Sequence, residues 1–312
     1  MPSGPTPLAD PPSRRVAIVV TCFNDGETLG AAVVSILDGA PEAELVIVDD
    51  GSTDERTLAL LSELDEQSGI AVIRQSNQGQ ARAAMTGLEA SVAPYVMRFD
   101  ADDLLELGAV DALADALDEA PHAAAAWGDV VTTGLTNFRL HGVPALDPWL
   151  ITYTNCITGS GTLFRRAALV AVGGWQLREG FEDWDLWMAL ADTAHEGIYV
   201  PRLVFRYRRT ETGQLATWLS DTARHYDELR WRHKRLFSSR SQNRRNSAAP
   251  LFLKVLVPMT EFLPLSRLSR INLCEVLTRV LWGGGLRATL PMVRQGTSIR
   301  VRRLVARQHE PA

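Results

Sequence analysis

The sequence predicts an α/β fold: a Rossmann-like, mostly parallel sheet flanked by helices, with a helical extension at the C-terminal end. Short apolar runs alternate with helix-like patterns in the first half of the chain, and turn residues with carboxylates follow several of these runs. Such repeats form right-handed βαβ units, in which the carboxyl ends of parallel strands meet at one edge. We therefore expect the polar strand ends to line one crevice, where α/β sheets hold their ligands.

The apolar periodicity predicts the elements in order. In the first half we expect strands at 16–22, 45–48, 71–74 and 95–99, and helices at 28–37, 55–67, 81–91 and 104–119. Further strands are expected at 123–131, 157–164 and 198–207, with helices at 165–172 and from 182 onwards. A helix at 217–237, an Arg-rich linker at 238–250 and apolar helices at 251–263 and 271–281 follow. The predicted organisation is a disordered leader (1–14), an α/β domain (15–215) and a basic helical region (216–312).

Charge is distributed unevenly along the 312 residues. The formal net charge is −5, but residues 221–312 carry 18 Lys and Arg against 6 Asp and Glu. The rest of the chain carries 14 basic against 31 acidic residues, so it would repel a nucleotide diphosphate unless a metal and local arginines compensate. The basic C-terminal part is either a set of solvated helices or a surface for anionic lipid.

Cysteine usage and hydropathy predict a cytoplasmic protein. Cys22, Cys156 and Cys274 show no CxxC spacing, which argues against a disulfide framework or a zinc site. The first 13 residues lack the apolar core of a signal peptide, and no apolar run reaches the ~18 residues of a spanning helix.

The carboxylates Asp100, Asp102 and Asp103 follow the strand predicted at 95–99. Carboxylates this close repel one another unless a cation lies among them, and their oxygens suit Mg²⁺ or Mn²⁺. The alternative is a solvated acidic turn that caps the following helix.

A second acidic focus, Glu182 and Asp183, is predicted at a helix start among aromatic residues. Apolar surroundings would raise the pKa of either carboxyl towards a value useful for a general base, whereas the helix dipole acts in the opposite direction. Ordinary helix capping is the alternative. Arg206, Arg208 and Arg209 precede a Gly-containing loop and are candidates to contact a diphosphate, or else form a solvated strand end.

Five ordered motifs together resemble the family 2 glycosyltransferases of GT-A fold over roughly residues 16–210: Val19-Val20-Thr21-Cys22-Phe23-Asn24, Val46-Ile47-Val48-Asp49-Asp50-Gly51-Ser52-Thr53-Asp54, Phe99-Asp100-Ala101-Asp102-Asp103, Gly173-Gly174-Trp175, and Glu182-Asp183-Trp184-Asp185-Leu186-Trp187. The resemblance implies inverting transfer of a sugar from a UDP- or dTDP-sugar donor, with Mg²⁺ or Mn²⁺.

The resemblance also assigns roles to matching positions. It implies nucleobase and ribose contacts for Thr21, Phe23 and Asp50, and a DxD pair formed by Asp100 and Asp102. It implies a metal contact for Asp102 or Asp103 and a catalytic base at Asp183, paired with Glu182. Asn24, Arg82 and Arg208 complete the candidates for donor binding. The sequence departs from the family at Cys22, where proline is common, and at Met85, where asparagine is frequent.

Several alternatives stay open from the sequence. The QxxRW string and membrane spans of processive synthases are absent, which favours a single-addition enzyme. The acceptor is expected to be a carbohydrate, a lipid-linked molecule or a small molecule, with no nucleic acid involved. The C-terminal helices are candidates for peripheral contact with the inner membrane face or for a homodimer interface. The rival functions are a nucleotidyltransferase and a non-catalytic sugar-nucleotide-binding or scaffold protein.

Overall fold

A computed structural model describes residues 14–178, 180–209 and 222–283. Within these ranges the strands are β1 (Val16–Cys22), β2 (Glu44–Asp49), β3 (Ile70–Arg74), β4 (Tyr95–Asp100), β5 (Leu104–Leu105), β6 (Ala123–Gly134), β7 (Arg139–Leu140), β8 (Leu163–Arg165) and β9 (Glu196–Arg209).

The helices of the α/β part are α1 (Leu29–Gly39), α2 (Glu55–Asp65), α3 (Gln80–Ala90), α4 (Ala109–Glu119), α5 (Arg166–Ala171) and α6 (Glu182–Asp192). The C-terminal helices are α7 (Thr222–Arg232), α8 (Lys234–Ser238), α9 (Arg240–Asn246), α10 (Leu251–Met259) and α11 (Arg267–Leu281). Short 3-10 turns occur at Leu150–Thr152 and Thr260–Phe262.

The strands form one mixed sheet in the order β3-β2-β1-β4-β8-β6-β9-β5, with β7 paired to β6. The first four strands of this order are parallel, as the βαβ pattern predicts, and β6 also runs parallel to β9. The strands β8, β5 and β7 join by antiparallel pairing. The predicted α/β fold with a C-terminal helical extension is confirmed.

Two apolar layers cover the faces of the sheet. In β1, Ile18 and Val20 pack with α1, α2 and α4, whereas Val19 packs on the other face with α3, α5 and α6. Burial on both faces explains why these strands read as continuous apolar runs.

Several predicted elements differ from the observed ones. The helix expected at 217–237 is interrupted at His233, between α7 and α8. The helix expected from residue 104 begins at Ala109, because Leu104–Leu105 pair antiparallel with β9 as an edge strand. Of the strand expected at 157–164, only Leu163–Arg165 forms, since residues 158–162 make a loop. The linker expected at 238–250 contains the helix α9.

The C-terminal helices pack on the α/β part through a buried charge cluster. Asp185 of α6 accepts hydrogen bonds from Arg232 Nε at 2.7 Å and Arg232 Nη2 at 3.0 Å, and its Oδ1 lies 2.8 Å from His233 Nε2. A small apolar cluster joins α10 and α11 to Trp149 and Leu150.

No helix in the described ranges is long and apolar enough to span a bilayer. The predicted leader and the boundary at residue 215 lie outside those ranges.

Candidate active site

The carboxyl ends of β1, β2 and β4 meet at one edge of the sheet. Thr21 of β1 is in register with Asp100 of β4, and Cys22 is in register with Asp49 of β2. The three polar clusters expected at strand ends therefore lie side by side, as the topology of consecutive parallel strands requires.

The aspartates after β4 occupy different environments. Asp103 is fully buried, and its carboxylate accepts hydrogen bonds from Ser160 Oγ at 2.9 Å and from the Arg208 amide at 3.1 Å. Asp102 is partly exposed, and burial together with the charges of Asp100 and Asp25 raises the pKa of its carboxyl to about 7. The helix that follows begins at Ala109 with Gly108 before it, so these aspartates do not cap it.

Asp100 is held in place by groups from two other segments. Gln80 Nε2 donates a hydrogen bond to its Oδ1 at 2.6 Å, and its own amide donates to Ser160 Oγ at 3.3 Å. Ser160 thus contacts both Asp100 and Asp103. The loop at 158–162 therefore supports the acidic cluster.

Two predicted donor-binding residues also maintain the loops around the crevice. Asp50 accepts hydrogen bonds from Gln75 Nε2 at 2.7 Å and from the amides of Gln78 and Gly79, both at 2.8 Å, so it fixes the loop before α3. The Asn24 side-chain oxygen accepts from the amides of Thr53 and Asp54 at 2.8 and 3.0 Å, which ties the first loop to the second.

Thr21 and Phe23 have groups that the protein itself does not use. The hydroxyl of Thr21 is buried and has no hydrogen-bond partner among the described residues, an arrangement that is costly unless a ligand supplies one. The ring of Phe23 is 43% exposed beside it in sequence. Both features agree with the nucleobase contacts implied by the family resemblance.

The remaining candidates, Arg82 and Arg208, differ in their partners. Arg82 lies on an exposed face of α3 and pairs with Glu89 of the same helix at 3.1 Å. Arg208 is near enough to Asp102 for its charge to lower the pKa of that carboxyl. Arg208 is thus the better placed of the two for a ligand at Asp102.

Arg98, in the middle of β4, joins the two acidic foci. It is 2% exposed, and its Nη1 lies 3.7 Å from Asp100 Oδ1 and 3.2 Å from Glu182 Oε1. Its Nη2 lies 3.2 Å from Asp183 Oδ2. Arg98 is not among the site residues predicted from the sequence, although a lone charged residue within the apolar run 95–99 is a signal for it.

Two carboxylates, Glu182 and Asp183, stand at the first two positions of α6. Phe181 precedes the helix with φ 63°, a conformation disfavoured for a bulky residue, and it provides no side-chain cap. Glu182 and Asp183 both pair with Arg98. A side chain at Gly159 would overlap Asp183, because a Cβ built there falls 1.9 Å from the carboxyl carbon. Any larger residue at this position would therefore require the Asp183 side chain to move.

Burial dominates the ionisation of this pair. It raises the pKa of Glu182 to about 8, with the charge of Asp183 adding to the effect and Arg98 opposing it. It also raises the pKa of Asp183, again against the influence of Arg98. Within the part of the chain that the structure describes, the buried Asp183 oxygen Oδ1 has no hydrogen-bond partner, so it can accept a hydrogen bond from a ligand.

The acidic cluster has the donor chemistry for a divalent cation. In the described ranges, no group of three or more His, Cys, Asp or Glu is arranged so that it could hold a metal ion by itself. Mg²⁺ commonly binds through one or two carboxylates, with water and substrate phosphates as its other ligands. Asp102 fits this role, because burial and then the charges of Asp100 and Asp25 make its ionised form unfavourable without a cation.

Residues 17–173 match the sequence profile described as "Glycosyl transferase family 2", which is 157 of the 312 residues. The chain belongs to glycosyl transferase family 2. The predicted family is therefore confirmed, and the matched range contains β1 to β8.

Curated relatives of this family 2 chain are polysaccharide synthases by name. The poly-beta-1,6-N-acetyl-D-glucosamine synthase of Staphylococcus aureus (strain COL) is 27% identical over 172 residues, covering 51% of this chain and 42% of that protein. The enzyme of the same name from Staphylococcus epidermidis is 26% identical over 199 residues, covering 60% and 48%. The chain thus spans less than half the length of these relatives.

A solved structure shares the fold. The crystal structure of S. aureus TarS 1-349 in complex with UDP-GlcNAc matches with a TM-score of 0.55 at 16% identity, over 77% of this chain and 69% of that one. At this identity the likeness supports the GT-A fold of the family 2 chain.

Proposed function

We propose that this family 2 chain transfers a sugar from a nucleotide-sugar donor to an acceptor hydroxyl, with inversion at the anomeric carbon. The observation that carries the proposal is the position of Asp183, held by Arg98 next to the acidic strand ends. A proton acceptor on one side of a carboxylate-lined crevice and a diphosphate site on the other are what a single displacement requires.

The donor is expected to be a UDP- or dTDP-sugar. The unpaired hydroxyl of Thr21 and the exposed ring of Phe23 are the proposed contacts to the nucleotide base and ribose, within loops held by Asp50 and Asn24. UDP-GlcNAc is the first donor to test, because it is the ligand named for TarS.

Mg²⁺ or Mn²⁺ is the proposed cofactor, with Asp102 rather than Asp103 as its protein ligand. Asp103 already accepts hydrogen bonds at both oxygens, whereas Asp102 is partly exposed and close to Arg208. A divalent ion there supplies positive charge that stabilises the departing diphosphate. Arg208 is placed to contribute charge to the same phosphate oxygens.

Asp183 is the proposed general base. The acceptor oxygen attacks the anomeric carbon, the bond from that carbon to the diphosphate breaks, and the acceptor proton moves to Asp183. Burial raises the pKa of Asp183, which makes it a stronger base, while Arg98 favours the ionised form that can take up a proton. Glu182, whose pKa is raised to about 8, pairs with the same arginine, Arg98, as Asp183 does. We assign Glu182 the role of supporting the base and not of taking up the proton.

The proposal also covers the class of acceptor and the cellular location of the reaction. The sequence lacks the QxxRW string, so we expect single additions to a carbohydrate, lipid-linked or small-molecule acceptor rather than polymerisation. A cytoplasmic location, where nucleotide sugars are used, agrees with three buried cysteines that are all free.

A transfer assay tests the proposal. Purified protein with Mn²⁺, UDP-GlcNAc and a panel of acceptors should release UDP and form a glycosylated product. Asp183→Asn should lower the rate about 1,000-fold, because general-base catalysis contributes roughly 100- to 10,000-fold. Asp192→Asn, at the other end of α6, is the matched control and should retain the rate. Asp102→Asn should remove the response to Mn²⁺.

Other outcomes would point elsewhere. Tight binding of a nucleotide sugar with no transfer or hydrolysis on any acceptor would favour the non-catalytic alternative. An Asp183→Asn variant with the full rate would remove the assigned base. Long polymeric products would contradict single addition.

A further inference from the structure

The helix α10 and the turn after it carry a continuous stripe of exposed apolar side chains. The stripe consists of Leu251, Phe252, Val255, Leu256, Met259 and Phe262, at the three- and four-residue spacing of one helix face. Phe252 is 53% exposed and Phe262 is 87% exposed. With Leu263, seven of the thirteen residues 251–263 are exposed large apolar side chains, against ten elsewhere in the described ranges.

The segment does not need this stripe in order to fold. Its opposite face buries Leu253 and Val257 fully against Trp149, Leu150 and Cys274. An ordinary surface helix would carry polar residues on the face away from the core. Contiguous exposed apolar surface marks an interaction site rather than a structural one.

Charge identifies the occupant. Residues 222–283 contain 12 Lys and Arg against 4 Asp and Glu, and Arg244 and Arg245 are exposed in the last turn of α9, shortly before the stripe begins. A second copy of this chain would bring one cationic region against another, which opposes self-association. An anionic lipid surface is attracted by the cations and accepts the apolar side chains.

We infer that the stripe from Leu251 to Leu263 docks in the headgroup region of a bilayer that contains anionic lipid, with exposed cations such as Arg244 and Arg245 against the headgroups. The helix lies in the plane of the surface, since its exposed apolar side chains form one face along its whole length. This contact does not depend on sugar transfer.

The docking surface is connected to the candidate base through few contacts. The buried face of α10, opposite the stripe, packs on Trp149 and Leu150. The carbonyl of the next residue, Ile151, accepts a hydrogen bond from Trp184 Nε1 at 2.7 Å. Trp184 follows Asp183 in α6. Docking would therefore hold the α6 end of the crevice close to the lipid surface.

Vesicle co-sedimentation of the full chain tests the inference. The wild-type chain should sediment with vesicles of phosphatidylcholine and phosphatidylglycerol at low salt, and less at high salt because screening weakens the headgroup contacts. Binding to phosphatidylcholine alone should be much weaker. The double variant Phe252→Ser, Phe262→Ser should reduce partitioning at least about tenfold, because two aromatic side chains no longer leave water.

A matched control variant loses exposed apolar side chains that lie outside the stripe. Val92→Ser with Val170→Ser removes two apolar side chains that are 85% and 58% exposed but lie outside the stripe. This variant should bind vesicles as the wild type does. Unchanged thermal unfolding of both double variants shows that each remains folded.

Three results would overturn the inference. One is binding to anionic vesicles that the stripe variant does not reduce. Another is equal binding to neutral and anionic vesicles. The third is a chain that ignores vesicles and forms a dimer that the stripe variant dissociates, measured by sedimentation velocity; that result would assign the stripe to a second copy.

Discussion

The crevice and the C-terminal stripe depart in opposite ways from the usual distribution of side chains. At the crevice the protein buries charge: Arg98, Asp103 and Glu182 are almost inaccessible to water. In α10 it exposes apolar surface that a single chain would normally cover. Each arrangement is unfavourable for the isolated chain. At the crevice, ion pairs and hydrogen bonds within the chain offset part of this cost, whereas the exposed stripe is the surface that we infer docks on lipid.

The two regions also differ in how their groups are connected. The buried charges are bound to one another by ion pairs across 84 residues of sequence, from Arg98 to Glu182. The stripe residues contact solvent on one side, and neighbouring residues of the same helix carry the packing. A substitution at the crevice should therefore affect both stability and activity, whereas one in the stripe should affect binding alone.

The largest effect is expected at Arg98. The variant Arg98→Met leaves Glu182 and Asp183 buried without a cation, so the free energy of unfolding should fall by about 3–5 kcal/mol. The measurement is urea unfolding. The control is Arg82→Met, which breaks an exposed ion pair and should cost less than about 1 kcal/mol. Equal decreases in the free energy of unfolding for both variants would show that the buried ion pairs stabilise the fold no more than the exposed pair does.

A smaller effect tests the fit around the base. The variant Gly159→Ala adds a methyl group that overlaps the Asp183 carboxyl, so we expect transfer to fall about 100-fold as the base shifts. Gly30→Ala is the matched control, because its Cβ meets only Leu60 Cδ2 at 3.7 Å, an ordinary contact. Transfer rates of both variants are compared at saturating donor. An active Gly159→Ala enzyme would mean that Asp183 does not need its observed position.

The ionisation of Glu182 predicts a pH dependence of stability. Because burial raises the pKa of this carboxyl from 4.5 to about 8, the folded chain holds the proton more tightly than the unfolded chain. The resulting stabilisation is complete below the unfolded pKa and is lost as the pH rises through about 8. Relative to Glu182→Gln, the wild type should therefore become less stable from about pH 5 to about pH 8 in urea unfolding. Parallel curves for the two proteins would contradict this.

The smallest effect is expected in the stripe. Phe262→Ser should change the free energy of unfolding by no more than about 0.5 kcal/mol, since this ring is 87% exposed. Phe164→Ser, in the core, should cost about 3–5 kcal/mol. A large loss at Phe262 in thermal or urea unfolding would mean that the ring packs against the protein, and the contrast between the two regions would disappear.

Much of the architecture could be predicted because it depends on local pattern. The apolar runs located β1 to β4, and the turn residues after them located the polar edge within a residue or two. The family motifs followed from those same turns. Asp100, Asp102 and Asp183 could be named from the sequence because motif spacing is a local property.

The elements and site residues that could not be predicted depend on contacts between segments far apart in the sequence. Leu104–Leu105 reads as the start of a helix, but pairing with β9 makes it a strand. Gly159 and Ser160 carry no motif, although the first leaves room for Asp183 and the second contacts two aspartates. Likewise, Asp50 and Asn24 were expected to bind a ligand, and the hydrogen bonds they make to neighbouring loops appear only in the folded chain.

The order of the elements, the family and the polar character of the strand ends follow from the amino-acid sequence, because periodicity and turn composition act over a few residues. The buried partners of the charges and the apolar face that stays open depend on how distant segments pack. Arg98 meets Glu182 and Asp183, and the α10 stripe meets solvent, through packing between segments far apart in the chain. Burial and pairing are properties of the whole fold, and no local window of sequence contains them.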